Sequence, residues 1–239
     1  MSRVILVRHA QASFLEPNYD KLCAAGEVQA RLLGEYWARR GVLFSRAWSG
    51  PRVRQVQTAR MVEEAYKRLG REFPEVAVMN EFDEYQAEAV LKLGLPQVLE
   101  RSQEVRDLHQ AFELSKDSHE RKRCFQQMFE TVIGMWVSGE LVVDGLESWP
   151  DFCVRVDRGI AAIVNSITPA GDSVVFTSGG PIGVTMRRAL HLSYADTLQL
   201  TWMSRNSSFT EFLSSGSRFT LSSFNAHPHL EDESLLTYR

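Results

Sequence analysis

Side chains suited to binding a phosphoryl group follow two predicted strands. Arg8 and His9 come directly after a short apolar run at residues 4–7, and Arg54 follows the next predicted strand, at residues 43–48. In an open α/β sheet ligands bind beyond the carboxyl ends of the strands, so we expect these side chains to converge. Guanidinium groups bind phosphate oxygens bidentately, and a neutral imidazole can attack phosphorus and carry the group covalently. The pattern indicates phosphoryl-group chemistry.

A glycine-rich turn follows a third predicted strand. The apolar run at residues 173–177 leads into the sequence Ser-Gly-Gly-Pro, which begins at Ser178 and is followed by a helical stretch that ends at residue 190. Unpaired N–H groups at the start of a helix favour an anion. We therefore include Ser178 and Gly179 in the predicted phosphate site.

The elements around these residues predict an α/β fold. The run at residues 4–7 is short and rich in β-branched residues, which is typical of a strand buried on both faces in a parallel sheet. Apolar spacing and turn residues predict helices at 22–40, 52–69, 149–166 and up to 190, and strands at 43–48, 76–79, 173–177, 198–204, 208–213 and 219–224, with a turn at 214–217. This order favours a three-layer sandwich with a mostly parallel central sheet and helices on both faces.

A helix-prone stretch separates the two halves of this predicted core. Residues 86–139 carry charges of both signs and one proline, Pro96, which is typical of two or three helices. We expect a single domain over residues 1–239, with residues 86–145 inserted as a helical cap. The insertion has no readable motif, and we expect it to set substrate specificity.

Composition excludes several classes of protein. Of the 239 residues, 27 are Lys or Arg and 30 are Asp or Glu, and this net charge of −3 gives no overall field for nucleic acid or a membrane surface. No apolar run approaches the roughly 18 residues of a membrane span. Cys23, Cys124 and Cys153 are scattered, which predicts reduced thiols in a cytoplasmic protein. No His, Asp and Glu cluster has metal-ligand spacing, so we expect no metal and no cofactor.

Five segments, taken in order and spacing, resemble the histidine phosphatase superfamily, which is related to cofactor-dependent phosphoglycerate mutase. They are Leu6-Val7-Arg8-His9-Ala10-Gln11, Leu22-x3-Gly26-x2-Gln29-Ala30, Ser49-Gly50-Pro51-x2-Arg54-x2-Gln57-Thr58-Ala59, Asn80-Glu81 and Asn206-x-Ser208-Phe209-Thr210. The first is similar to the family's Arg-His-Gly opening, with Ala10 in the third position. The resemblance covers roughly residues 3–85 and 145–225.

The resemblance implies a role for each site residue. His9 is the nucleophile that becomes phosphohistidine, and Arg8 and Arg54 hold the phosphoryl oxygens. Glu81 is the implied acid that protonates the leaving oxygen and then activates water, with Glu84 as the alternative one helical turn later. The family normally has a second histidine where this chain has Ser178. A serine brings a neutral hydrogen bond in place of a positive charge, which predicts slow chemistry.

These residues favour a metal-independent phosphatase that acts on a small phosphorylated metabolite. A phosphomutase of the same family is the alternative within the same chemistry, since it returns the phosphoryl group to its substrate. A phosphate-binding protein without turnover is the alternative from another class, and the serine at position 178 is its main support. The sequence carries no signal for an oligomeric state.

Overall fold

The computed structural model describes residues 2–13, 20–166, 171–215 and 218–238. Its strands are β1 (Ser2–Arg8), β2 (Phe44–Ser49), β3 (Val76–Val78), β4 (Asp172–Thr177), β5 (Phe209–Ser215) and β6 (Arg218–Ala226). Its helices are α1 (Ala24–Arg39), α2 (Val53–Arg68), α3 (Ala87–Arg101), α4 (Gln103–Leu114), α5 (Ser118–Ser138), α6 (Trp149–Ser166), α7 (Gly179–Leu190) and α8 (Tyr194–Met203), with short 3-10 helices at Asn80–Phe82 and Glu233–Leu235.

The strands form one sheet in the order β3-β2-β4-β1-β5-β6. β1, β2, β3 and β4 run parallel, and β5 and β6 continue the sheet antiparallel to β1. In the parallel part Arg8 pairs with Thr177, and Ser49 pairs with Phe176. The carboxyl ends of β1, β2 and β4 therefore lie side by side, and we call this side of the sheet its carboxyl edge.

The central strands are buried on both faces, as the apolar run of β1 predicts. Residues Val4 to Val7 are each 1% exposed or less. Ile5 and Val7 belong to a core cluster with Leu33 and Trp37 of α1. Because side chains alternate along a strand, Val4 and Leu6 point to the other face. Burial on both faces confirms the predicted sandwich and its mostly parallel sheet.

Helices α1 and α2 pack closely at a glycine. A Cβ added to Gly34 would lie 2.7 Å from the Cβ of Ala65 and 2.8 Å from the carbonyl oxygen of Val62. Any larger residue at position 34 would push the two helices apart. This packing fixes α2, and with it the polar residues at the N-terminus of α2.

The chain divides into two compact units. The first consists of residues 1–84 and 155–239 and contains the sheet, and the second is residues 85–154. The second unit contains three helices, α3 to α5, within the stretch for which two or three were predicted. Its interior is an aromatic cluster, in which Tyr85 stacks on Trp136 at 5.5 Å and both contact Trp149.

The predicted strand at residues 198–204 is wrong, because this segment belongs to helix α8. The side chain of Ser193 caps the helix by accepting a hydrogen bond from the Asp196 amide at 3.1 Å. A Cβ at Gly183 of α7 would meet the hydroxyl of Thr201, so glycine allows α8 to pack closely on α7. This packing outweighs the local strand propensity of the segment.

Several other expectations concern cysteines, membranes and the last turn. Cys23, Cys124 and Cys153, all within the described residues, form no disulfide. Among the described helices, none is both long enough and apolar enough to cross a membrane. Half of the turn predicted at residues 214–217 lies outside the described residues.

Candidate active site

His9 lies at the carboxyl edge of the sheet, directly after β1. Its amide donates a hydrogen bond to the carbonyl oxygen of Thr177, the last residue of β4, at 2.7 Å. This bond continues the pairing of two parallel strands by one residue. The strand that carries the imidazole and the turn that begins at Ser178 are thereby held next to each other.

The imidazole of His9 has one defined tautomer. Its Nδ1 lies 2.8 Å from the carbonyl oxygen of Ala10, which can only accept a hydrogen bond, so Nδ1 carries the proton. Arg54 Nε donates to His9 Nε2 at 3.2 Å, so Nε2 presents its lone pair. An imidazole in this state can act as a nucleophile through Nε2.

The surroundings of His9 keep it neutral. The residue is 6% exposed. Burial, followed by the charges of Arg54 and Arg8, holds the pKa of His9 well below its usual 6.5, against a smaller opposing effect of the Ala10 carbonyl. A neutral imidazole beside two guanidinium groups combines a nucleophile with an anion-binding environment.

Arg54 is aimed by a carboxylate that the sequence analysis did not identify. Arg54 Nη1 lies 2.6 Å from Asp20 Oδ1, and the side chain of Arg54 is 8% exposed. Asp20 Oδ2 also accepts a hydrogen bond from the Val53 amide at 3.0 Å, at the N-terminus of α2. Asp20 thus fixes both the guanidinium and the helix that carries it. No motif in the sequence marks Asp20, because the contact joins residues 34 positions apart.

Arg8 is the second guanidinium near His9. Its Nη1 donates a hydrogen bond to the carbonyl oxygen of Ser204, just beyond α8, and its backbone amide donates to Ser208 O at 2.9 Å. A guanidinium has five N–H groups, so it can bind more than one acceptor at a time. After burial and the charge of Arg54, the charge of Arg8 is a further cause that lowers the pKa of His9.

Ser178 occupies the N-cap position of α7 but does not cap it. Its side chain makes no capping hydrogen bond. The hydroxyl oxygen instead accepts from Gln55 Nε2 at 2.8 Å, and Ser178 is fully buried. Gln55, which the sequence analysis also missed, is fixed by a second bond from Nε2 to Phe82 O at 3.2 Å. Since Gln55 donates to the serine oxygen, the serine proton must point elsewhere.

The two candidate carboxylates lie in different places. Glu84 Oε2 accepts a hydrogen bond from the amide of Gly180, in the first turn of α7, at 3.2 Å. Glu81 Oε1 lies 3.6 Å from Arg158 Nε of α6. The structure therefore brings Glu84 to the glycine-rich turn, and it places Glu81 beside α6. The Cβ of Glu81 packs closely on α6, since it would lie only 2.7 Å from a Cβ added at Gly159 of that helix.

The turn after His9 is held from the side of α2. Thr58 Oγ1 accepts a hydrogen bond from the Ala10 amide at 3.0 Å and donates one to Arg54 O at 2.7 Å. One hydroxyl thus joins the turn that follows His9 to Arg54, whose guanidinium contacts the imidazole. Within the described ranges, no group of three or more His, Cys, Asp or Glu side chains could hold a metal ion.

Comparison with known families finds one match over most of the chain. The family model described as histidine phosphatase superfamily (branch 1) matches residues 4–227. A search of the curated proteins finds no match.

Several solved structures share the fold. The mycobacterial glucosyl-3-phosphoglycerate phosphatase in complex with inorganic phosphate is 20% identical, with a TM-score of 0.62 over 96% of this chain and 99% of that chain. The phosphoserine phosphatase of Entamoeba histolytica, in complex with 3-phosphoglyceric acid, is 16% identical, with a TM-score of 0.61 over 96% and 100%. The phosphoglycerate mutase of Bacillus anthracis is 15% identical, with a TM-score of 0.62 over 96% and 95%.

Proposed function

The chain belongs to the histidine phosphatase superfamily, and on that basis we propose that it is a metal-independent phosphatase that cleaves a small phosphate ester through a phosphohistidine at His9. The observation that carries this proposal is the state of His9. Its Nδ1 bonds to the Ala10 carbonyl and its Nε2 faces Arg54 at 3.2 Å. The same side chain is thus oriented, neutral and next to a cation.

Substrate binding exchanges one partner of Arg54 for another. In the structure Arg54 Nε donates to the lone pair of His9 Nε2. A phosphoryl oxygen is a stronger acceptor, and a charged pair of this kind is favoured over a neutral contact. Arg54 then binds the phosphoryl group while Asp20 keeps the guanidinium in place, and the lone pair of Nε2 becomes available. Arg8 and the amide of Gly179 supply further donors on the same edge.

The first chemical step transfers the phosphoryl group to the imidazole. The Nε2 lone pair forms the P–N bond as the bond between phosphorus and the ester oxygen breaks, and a carboxylic acid protonates that oxygen. In the second step water attacks phosphorus, the P–N bond breaks, and the carboxylate takes the water's proton. The products are the alcohol, phosphate and the enzyme in its starting state, and neither step as written needs a metal ion.

Two carboxyl groups are candidates for this proton transfer. The family resemblance supports Glu81, and the hydrogen bond from the Gly180 amide supports Glu84. A phosphoryl group held by the same turn brings negative charge towards Glu84. A carboxyl group at this turn lies within reach of a leaving oxygen on that phosphoryl group. We propose Glu84 as the proton carrier, with Glu81 as the residue to compare with it.

Ser178 offers one neutral hydrogen bond to the phosphoryl group. Its oxygen accepts from Gln55, so its proton is directed away from Gln55. We propose that this proton contacts a phosphoryl oxygen. A neutral donor stabilises the spreading negative charge of the transition state less than an imidazolium does, so we expect turnover to be slow.

The test is hydrolysis of an aryl phosphate in the presence of a chelator, by the wild-type chain and by His9→Ala. Steady release of phosphate that His9→Ala abolishes supports the phosphatase. If calorimetry shows that phosphate binds but no turnover is seen, the alternative of a phosphate-binding protein, which the serine at position 178 favours, is supported. Return of the phosphoryl group to a second position of a sugar acid, without release of phosphate, supports the mutase. Activity that a chelator removes and a divalent ion restores overturns the proposal.

A further inference from the structure

Two buried amide side chains hold the turn that follows His9. Gln29 Oε1 of α1 accepts a hydrogen bond from the Gln11 amide at 2.8 Å. Asn206 Nδ2 donates to the carbonyl oxygen of His9 at 3.2 Å. Both side chains are fully buried, and both residues belong to the family-like segments of the sequence. Gln29 and Asn206 thus hold the two ends of the three-residue turn at residues 9–11, and Thr58 holds the amide of its middle residue.

A residue near the far end of the chain connects these two amides. Thr237 Oγ1 accepts a hydrogen bond from Gln29 Nε2 at 3.0 Å and donates one to Asn206 Oδ1 at 3.0 Å. The backbone repeats the connection, since the Asn206 amide donates to Thr237 O at 2.8 Å. Gln29 Nε2 also donates to Leu235 O at 2.8 Å.

The chemistry of the partners fixes the direction of every bond in this chain. The Gln11 amide can only donate, so it sets Gln29 with its Oε1 towards the turn and its Nε2 towards Thr237. The His9 carbonyl can only accept, so it sets Asn206 with its Nδ2 towards the turn and its Oδ1 towards Thr237. Position 237 therefore needs one group that accepts and donates at once. A hydroxyl meets this requirement, whereas an apolar side chain removes the partner of Asn206 Oδ1 and one of the two acceptors of Gln29 Nε2.

The rest of the segment is anchored before it reaches Thr237. His229 and Leu230 are each 6% exposed. His229 Nε2 lies 3.0 Å from the hydroxyl of Ser207, which in turn donates to Gln29 O at 3.2 Å. The strap, as we call residues 229–237, thus contacts Ser207, the residue next to Asn206, at its start, and it contacts Gln29 and Asn206 at its end.

We propose that Thr237 is a positioning residue of the active site, which sets the turn carrying His9 through Gln29 and Asn206. This inference rests on the proposed function, since it assigns a catalytic effect to the placement of His9. Thr237 does not touch the reacting atoms. It keeps the carbonyl of His9 and the amide of Gln11 in place, and so keeps the imidazole in line with the phosphoryl group.

The experiment compares Thr237→Val, Thr237→Ser and a matched control, Thr220→Val, in the full chain. Thr220 is exposed on β6, so its substitution changes the same atoms away from the network. Single-turnover transfer from an aryl phosphate gives the rate of His9 phosphorylation, and steady-state kinetics give kcat and KM. Hydrogen exchange of the Gln11 amide reports the turn itself and needs no activity. Thermal melts establish that each variant is folded.

We expect Thr237→Val to lower the phosphorylation rate and kcat about tenfold, with KM nearly unchanged because the arginines remain. Thr237→Ser should restore the rate, and exchange of the Gln11 amide should be faster in Thr237→Val alone. A folded Thr237→Val variant with wild-type kcat, or with wild-type exchange at Gln11, overturns the proposal. Absence of phosphorylation in the wild-type chain overturns the proposed function instead, and the exchange result then decides whether the strap sets the turn.

Discussion

Replacing Arg54 tests the centre of the proposed site in two independent ways. Arg54→Met removes the donor that lies 3.2 Å from His9 Nε2 and the cation that pairs with Asp20 at 2.6 Å. The side chain is 8% exposed, so water does not replace it easily. A hydrogen bond to a charged group contributes about 1.5–3 kcal/mol. Loss of one such bond to phosphate weakens binding by roughly tenfold to a hundredfold.

The same substitution changes the pH dependence of activity, and the direction follows from the charges. The positive charge of Arg54 is the largest cause after burial of the lowered pKa of His9. Without it the pKa of His9 rises, so the imidazole takes up its proton at a higher pH and loses its nucleophilic lone pair. The acidic limb of the kcat/KM profile therefore moves to higher pH.

The assay combines calorimetry with phosphate and kcat/KM for an aryl phosphate between about pH 5 and 8. Arg60→Met on the exposed face of α2 is the matched control, and it should leave both quantities unchanged. Arg54→Met combined with Asp20→Asn removes the carboxylate that would otherwise stay behind and repel phosphate. Wild-type phosphate affinity and an unmoved acidic limb in both Arg54 variants would refute the placement of the phosphoryl group.

Three further predictions follow from neighbouring contacts. Ser178→Ala removes the hydroxyl that accepts from Gln55, and we expect kcat to fall by roughly 10²-fold; a wild-type kcat would exclude the proposed phosphoryl contact. Glu84→Gln should lower turnover most for esters with poor leaving groups, and the same pattern in Glu81→Gln with a wild-type Glu84→Gln would assign the proton carrier to Glu81. Burial, and to a lesser degree the charge of His227, lowers the pKa of His229 from 6.5 to about 3. Between these two pH values the unfolded chain binds more protons than the folded chain, so the free energy of unfolding falls as the pH drops. The decline is at most about 1.4 kcal/mol per pH unit, and urea unfolding at about pH 7 and 5 should show a smaller decline for His229→Gln; equal declines would contradict the buried neutral state.

The neighbourhood of His9 and Arg54 could be anticipated because it depends on strand order alone. Each residue follows a short apolar strand, and parallel strands bring their carboxyl ends to one edge. The roles assigned to these residues remain predictions, but the two residues come to the same edge because β1 and β2 flank β4 in a parallel sheet.

The contacts that orient these groups could not be anticipated, because they join distant parts of the chain. Asp20 reaches Arg54, and Gln55 reaches Ser178, across 34 and 123 positions respectively. Local sequence carries no signal for such pairs. Glu84 reaches the Gly180 amide in the same way, across 96 positions. The strand predicted at residues 198–204 failed because its propensity is a local quantity, whereas α8 is set by its packing on α7.

The central claim is that His9 carries the phosphoryl group, and the measurement that tests it most directly is capture of that intermediate. The wild-type chain, mixed with an aryl phosphate in the presence of a chelator and quenched in base, is digested and analysed by mass spectrometry and phosphorus NMR. Because Nδ1 is bonded to Ala10 O at 2.8 Å, we predict one phosphoryl group on Nε2 of His9, absent from His9→Ala. Turnover without a phosphorylated His9, or a phosphoryl group on another residue that persists in His9→Ala, would contradict the account.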